Sequence, residues 1–299
     1  MFVVKIVCVK ASSDVPRPFV KWAGGKQQML NFLAPCFPRK FNAYYEPFLG
    51  GGAVFLYLTR TRGPFSAVLS DLNAELIDTW LTVKNNVDQL IVLLKNHRQK
   101  YLENPEEYFY RVRTAKPEDP VDQAARFIFL NKTCFNGLYR VNSKGEFNVP
   151  WSRSKKANLC DEENLHAVAK SLANVKLVAA DYLEILKQCE RNDCVYIDPP
   201  YQPESATAYF TSYTKRGFTE EDQKVLAECF KTLDKKGCVV VLSNSDTPLI
   251  WQLYAGYNII RVPTLRAISS VGAKRKNHTE LIVTNRKTTT ISQFCSPTA

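Results

Sequence analysis

The run Cys194-Val195-Tyr196-Ile197 is apolar, short, and ends abruptly in Asp198-Pro199-Pro200-Tyr201. No other stretch constrains the chain as much. Two consecutive prolines remove two backbone donors and cannot continue a central strand, so the strand stops near Ile197 and delivers a carboxylate at its end. A carboxylate, two prolines and a phenol make a poor core. They make a good seat for a flat ring bearing an exocyclic amine. Asp198 accepts one hydrogen bond from the amine, the Pro199 carbonyl accepts the other, and Tyr201 offers a stacking face. The simpler reading of the four residues is a strand end followed by a proline turn.

The surrounding pattern is α/β. Strands are predicted at Ala43–Tyr45, Ala67–Ser70, Val175–Ala179, Cys194–Ile197, Cys238–Leu242, Tyr257–Arg261 and Leu281–Thr284, with helices between most of them. One helix runs from Glu220 to about Lys235, with Val225, Leu226, Cys229, Phe230 and Leu233 along one face. It opens on Thr219-Glu220-Glu221-Asp222, a capping box with Asp in place of Glu. Alternating strands and helices predict an α/β sheet whose ligands bind at the strand C-terminal ends.

The stretch from Ala74 to about Ala125 interrupts that rhythm and reads as wholly helical. After it, Leu138–Val141 and Glu146–Val149 flank Asn142-Ser143-Lys144-Gly145, a hairpin signal in a polar, turn-rich segment. A helical block and a basic hairpin inserted between sheet strands predict a recognition module set into a catalytic body.

Charge supports a polyanionic partner. The net charge is +11, and two windows hold all of the excess. Residues 131–156 carry Lys132, Arg140, Lys144, Arg153, Lys155 and Lys156 against Glu146. Residues 261–287 carry Arg261, Arg266, Lys274, Arg275, Lys276, Arg286 and Lys287 against Glu280. Local basic patches on a neutral body suit a nucleic-acid clamp, whereas solvated basic loops are the plainer alternative.

Nine cysteines lie scattered without C-x-x-C spacing, and three histidines are too few to favour a zinc site. The cysteines suit a reducing cytoplasm. No apolar run approaches a membrane span. Phe2 to Val9 is split by Lys5, with no small-residue cleavage site after it, and reads as an extra strand or extension rather than a signal peptide.

Two further constellations precede the catalytic run. Glu46-Pro47-Phe48-Leu49-Gly50-Gly51-Gly52 links a strand to a helix, and its glycines permit close approach of backbone to a ligand. Asp71 ends the next strand, about 20 residues on, where nucleotide-binding sheets hold ribose hydroxyls; a plain helix N-cap is the alternative. Phe19-Val20-Lys21-Trp22-Ala23-Gly24-Gly25-Lys26 sets a tryptophan beside two glycines and two lysines.

Phe48-Leu49-Gly50-Gly51-Gly52 resembles the FxGxG motif, and Asp198-Pro199-Pro200-Tyr201 the DPPY motif, of adenine-N6 DNA methyltransferases. Lys21 to Lys26, Asn136-Gly137-Leu138-Tyr139-Arg140, Gly145-Glu146-Phe147-Asn148-Val149-Pro150 and Ile268-Ser269-Ser270 are similar to the Dam branch, which methylates adenine in GATC. The resemblance spans about Pro18 to Asn285. It implies a Rossmann-like S-adenosylmethionine-dependent sheet with an inserted helical target-recognition domain. The implied division is 1–16 extension, 17–73 with 161–286 catalytic, 74–160 recognition and 287–299 flexible tail.

Its implications extend to residues. Asp198, Pro199, Pro200 and Tyr201 are implied as catalytic. Trp22, Lys26, Glu46, Phe48, Gly50, Gly52, Asp71, Asp181 and Asp198 are implied in S-adenosylmethionine binding, with Asp181 facing the adenine ring of the cofactor. Arg140 matches an arginine reading guanine, Leu138 a side chain on the thymine methyl, and Lys21 a lysine on the other guanine. Phe135 stands where a tyrosine commonly enters the base stack, and Ser154 where an aromatic is often found. Lys132, Asn136, Arg153, Ser269, Ser270, Lys274, Arg275 and Lys276 complete the implied DNA contacts. Duplex DNA is the implied partner, with no metal and no membrane, in the DNA-associated cytoplasm. A restriction endonuclease acting on the same site without a stable complex is the partner if the enzyme is one of a pair. RNA or another amine substrate is the alternative.

Overall fold

The computed structural model describes residues 15–201, 218–264 and 278–286. Among them, seven strands form one sheet in the order β3-β2-β1-β4-β5-β7-β6. They are β1 (Tyr44–Glu46), β2 (Ala67–Asp71), β3 (Val175–Ala179), β4 (Cys194–Ile197), β5 (Val239–Ser245), β6 (Asn258–Thr264) and β7 (His278–Thr284). The first five are parallel, and β7 runs antiparallel to both β5 and β6. All seven predicted strands are present; β6 continues beyond its predicted end, and β7 begins before its predicted start.

The chain moves outward from β1 through β2 to β3, then returns to β4 on the other side of β1. Strand order therefore reverses between β1 and β4. In open α/β sheets that reversal opens a crevice at the strand C-terminal ends, where ligands bind. Glu46 ends β1, Asp71 ends β2 and Asp198 follows β4, so the three carboxylates share this edge.

The helices are α1 (Leu30–Leu33), α2 (Ala53–Arg62), α3 (Ala74–Asn85), α4 (Val87–Glu103), α5 (Pro105–Thr114), α6 (Pro120–Thr133), α7 (Glu162–Ser171), α8 (Tyr182–Lys187), α9 (Glu220–Lys236) and α10 (Pro248–Leu253). The capping box at Thr219 forms, with Asp222 answering. Helix α9 buries Leu226, Phe230 and Leu233 as predicted, but Val225 is exposed and Cys229 only half-buried. The apolar stripe is thus narrower than its sequence, and Gln223 occupies part of the buried face.

The predicted helical stretch divides into α3 to α6 and runs on to Thr133. Its breaks follow local chemistry. Asn73 caps α3 by accepting from Leu76 N–H, and Asp119 caps α6 ahead of Pro120. Leu76, Ile77 and Trp80 share one core with the sheet. Tyr101, Phe109, Phe129, Phe147 and Val149 form a smaller second core.

The predicted hairpin strands do not develop into a ladder. Val141 pairs with Phe147 in a single bridge, with Asn142 N–H on the Glu146 carbonyl and Asn148 N–H on the Arg140 carbonyl. The Asn142 side chain takes the N–H groups of Lys144 and Glu146. That local capture tightens the turn in place of extended pairing.

Candidate active site

Strand β4 carries Asp198 into the crevice beside a lysine from the other end of the chain. Lys26 Nζ lies 2.9 Å from Asp198 Oδ1 and 3.9 Å from Glu280 Oε2, donates to the Gly24 carbonyl at 2.6 Å, and sits 4.8 Å from the Tyr201 ring centroid. The Tyr201 hydroxyl donates to Glu280 Oε2 at 2.6 Å. Asp198 Oδ1 is buried, and the Lys26 ammonium is the charge set against it. Burial is the larger influence on the Asp198 carboxyl and pushes it up to about 6, opposed by Lys26 and assisted by Glu280.

The turn after Asp198 is braced from beneath. Gln223 Nε2 donates to the Pro200 carbonyl at 3.3 Å, and Asn244 Nδ2 donates to Gln223 Oε1 at 2.9 Å. Both amides are fully buried. They hold the proline turn from α9 and β5, which single-stranded motif reading of residues 198–201 does not reveal.

The glycine turn lies across the crevice. Gly50 and Gly52 have φ of 48° and 65°, the left-handed region that favours glycine. The Gly50 carbonyl accepts from Trp80 Nε1 at 3.2 Å. Asp71 Oδ2 accepts from Gly50 N–H at 2.9 Å, and Oδ1 from Asn73 N–H at 3.0 Å. Asp71 therefore ties the turn to β2, and Asn73 takes the helix N-cap that was the alternative for Asp71. Burial holds the Asp71 carboxyl above its usual value against those donors.

Glu46 is buried and accepts from Tyr44 Oη at 2.7 Å. Burial pushes its carboxyl up to about 8. Phe48 stacks on Tyr182 at 5.2 Å and meets Phe218 edge-on at 6.1 Å. Asp181 caps α8 through Leu183 N–H at 2.8 Å. Cap and cofactor contact are compatible, since a carboxylate has further acceptor positions. These side chains, with the glycine turn, fit an adenosyl donor chemically: a Cβ-free backbone, carboxylates for hydroxyl and ammonium groups, and aromatic walls.

Trp22 stacks on Phe127 and Tyr139, at 6.2 and 5.9 Å. Asn131, on α6, joins the Lys21 segment to the loop after α6. Its Oδ1 accepts from Lys21 N–H at 2.7 Å, and its Nδ2 donates to the carbonyls of Lys21 at 2.7 Å and Gly137 at 3.0 Å. Lys21 is exposed. Along the same loop Phe135 is 48% exposed, Asn136 is exposed with φ of 55°, and Leu138 is half-buried against the second core. Arg140 is exposed, its Nε donating to Asn148 Oδ1 at 2.7 Å.

The first basic window is largely solvent-facing at Arg140, Lys144, Arg153, Lys155 and Lys156, whereas Lys132 is half-buried. Burial and neighbouring Lys21 lower the Lys132 pKa. In the second window, Arg261 is engaged by Asp246 at 2.7 Å. Ser269, Ser270, Lys274, Arg275 and Lys276 lie outside the described residues. Among the described residues no group of His, Cys, Asp or Glu is arranged for a metal ion, and no helix is long and apolar enough to cross a membrane.

Glu280 and Asn131, like Gln223 and Asn244, are residues of the site that the sequence does not place there. Each reaches its partner over a long sequence separation, 79 residues for Tyr201 and 110 for Lys21, and neither belongs to a local motif.

Comparison with known proteins converges on the same chemistry. Residues 22–268 match the family of D12 class N6 adenine-specific DNA methyltransferases. The chain is 43% identical to the type II methyltransferase M1.LlaDCHI of Lactococcus lactis subsp. cremoris, over 90% of this chain and 95% of that protein. It is 42% identical to the type II methyltransferase M.MjaIII of Methanocaldococcus jannaschii, over 90% of this chain and 99% of that one. Identity to the DNA adenine methylase of Escherichia coli is 36%, over 89% and 94%. The chain thus belongs to the D12 class of N6 adenine-specific DNA methyltransferases, for which S-adenosylmethionine is the methyl donor.

Proposed function

We propose that this methyltransferase acts on adenine within GATC in duplex DNA, after the target base leaves the stack, and that residues 74–160 form its recognition domain. The buried Asp198 Oδ1 after β4, with Lys26 2.9 Å away and that ammonium over the Tyr201 ring, is the observation that carries the reading of the amine site. Adenine inside a duplex cannot present N6 to a donor, so flipping supplies access at a cost of a few kcal/mol.

Asp198 and the Pro199 carbonyl accept the two amine hydrogens, drawing N6 toward tetrahedral geometry and stabilising the positive charge that develops there. Tyr201 stacks on the flipped ring. Once bound, the cofactor would supply an activated sulfonium methyl; as N6 takes it and the carbon–sulfur electron pair stays on sulfur, one amine proton would pass to the Asp198 carboxylate that accepts it and from there to water. Alignment of the two reactants supplies much of the rate. Trp22, Lys26, Glu46, Phe48, Gly50, Gly52, Asp71 and Asp181 surround the donor in this reading.

Target choice falls to Lys21, Leu138 and Arg140, with Phe135 filling the gap left by the flipped base. The exposure of Lys21, Phe135 and Arg140 on one clasped loop system supports this assignment. The test of the amine site is Asp198→Ala, which should lower methyl transfer by about 10²-fold or more while the protein stays folded and binds DNA. Near-native turnover would remove Asp198 from the chemistry.

A further inference from the structure

The geometry points to Glu280 as a positioning residue for methyl transfer, one that orients Tyr201 and shares the Lys26 ammonium with Asp198. This rests on the amine-site reading above. Glu280 lies on β7, opposite Ser245 of β5 and Val262 of β6, so an antiparallel strand brings a second carboxylate to the edge where Asp198 ends its strand.

One of its oxygens faces two groups of the site. Oε2 accepts from Tyr201 Oη at 2.6 Å, which fixes the rotation and tilt of the ring that is to stack on adenine. The same atom lies 3.9 Å from Lys26 Nζ. Lys26 is thereby held between two carboxylates, 2.9 Å from Asp198 Oδ1 and 3.9 Å from Glu280 Oε2. The consequence is an Asp198 with a compensating charge at Oδ1 whose carboxylate keeps further acceptor positions for the incoming amine. Without Glu280, Lys26 keeps Asp198 as its one carboxylate partner among the described residues and is drawn further onto it.

The charged and titratable groups facing Asp198 among the described residues are Lys26, Glu280, Tyr201, Tyr196 and Glu46. Of these, Glu280 opposes Asp198 ionisation and Lys26 favours it. A structural role on β7 would alter stability alone. A positioning role alters both turnover and the acid limb of the pH profile.

The experiment measures kcat, KM for DNA and the pH dependence of kcat/KM on an adenine-containing duplex, for the full chain, for Glu280→Gln, Glu280→Ala and Tyr201→Phe, and for each Glu280 change combined with Tyr201→Phe. Glu280→Ala should lower kcat about tenfold or more, with less effect on KM. Glu280→Gln removes charge with little change of shape, and should move the acid limb to lower pH by about 0.5 unit or more. In the Tyr201→Phe background, Glu280→Ala should cost less in kcat because the hydroxyl it held is gone. If Glu280→Ala does not fold, Glu280→Gln and Tyr201→Phe carry the test through the pH shift and their non-additivity.

Folded Gln and Ala variants with wild-type kcat and an unmoved acid limb overturn the proposal while leaving adenine methylation intact. Absence of methyl transfer by the unaltered chain overturns the amine-site reading, and this proposal with it.

Discussion

Gly50 and Trp22 lie so close that a Cβ on Gly50 would stand 2.6 Å from Cδ1 of the indole. The backbone at Gly50 also has a φ of 48°, which costs an L-residue about 1–2 kcal/mol before any clash. Gly50→Ala should therefore destabilise the fold by at least that amount and push the indole off the turn. Chemical denaturation measures the first effect and titration with S-adenosylmethionine the second. Unchanged stability and cofactor affinity would show that the contact is loose.

Activity should have an acid limb set by Asp198. Its carboxyl is raised to about 6 by burial, so below that pH the proton-bearing form predominates and loses the charge that stabilises N6. The log of kcat/KM, which reports the free enzyme, should fall with falling pH through the region of 6 and level off above it. A flat profile from pH 5 to 8 would contradict the assigned role.

Glu46 predicts an opposite-looking effect on stability. Its folded value of about 8 lies above the unfolded value of 4.5, so the folded state holds a proton that the unfolded state has released. Stability from this group is complete below 4.5, falls as pH rises and is lost by about 8, a span of at most about 5 kcal/mol. Glu46→Gln stays neutral throughout and should flatten the dependence of unfolding free energy on pH in that window. Parallel curves for the two proteins would mean that Glu46 is ionised when folded.

Arg140→Ala tests readout against positioning. An arginine that bonds both major-groove acceptors of guanine discriminates by about 1–3 kcal/mol, roughly 5- to 150-fold. Loss of a phosphate contact weakens all sequences alike. Selectivity should relax at one guanine in a library of single-base variants; a uniform loss would make Arg140 a phosphate contact.

Local chemistry made much of this molecule legible. Two prolines after Ile197 end a strand wherever it lies, and Thr219 with Asp222 caps a helix through bonds three residues apart. Glycines at 50 and 52 mark a turn because no other residue fits the backbone there. What was hidden depends on distant segments meeting. Glu280 reads as one acid in a basic window until β7 sets it against Tyr201. Asn131 reads as a polar helix residue until its amide meets Lys21 and Gly137. The hairpin around Asn142 forms but is shorter than its sequence pattern predicts, because the Asn142 side chain takes the Glu146 N–H that further strand pairing would use.

Methylation of a duplex library containing GATC and every single-base variant tests the central claim most directly, with modified bases identified chemically and RNA and protein substrates as controls. The account predicts N6-methyladenine, concentrated in GATC, and transfer abolished by Asp198→Ala. Methyl groups on RNA or protein in preference to duplex DNA, or N6-methyladenine in sites other than GATC with GATC untouched, would contradict it.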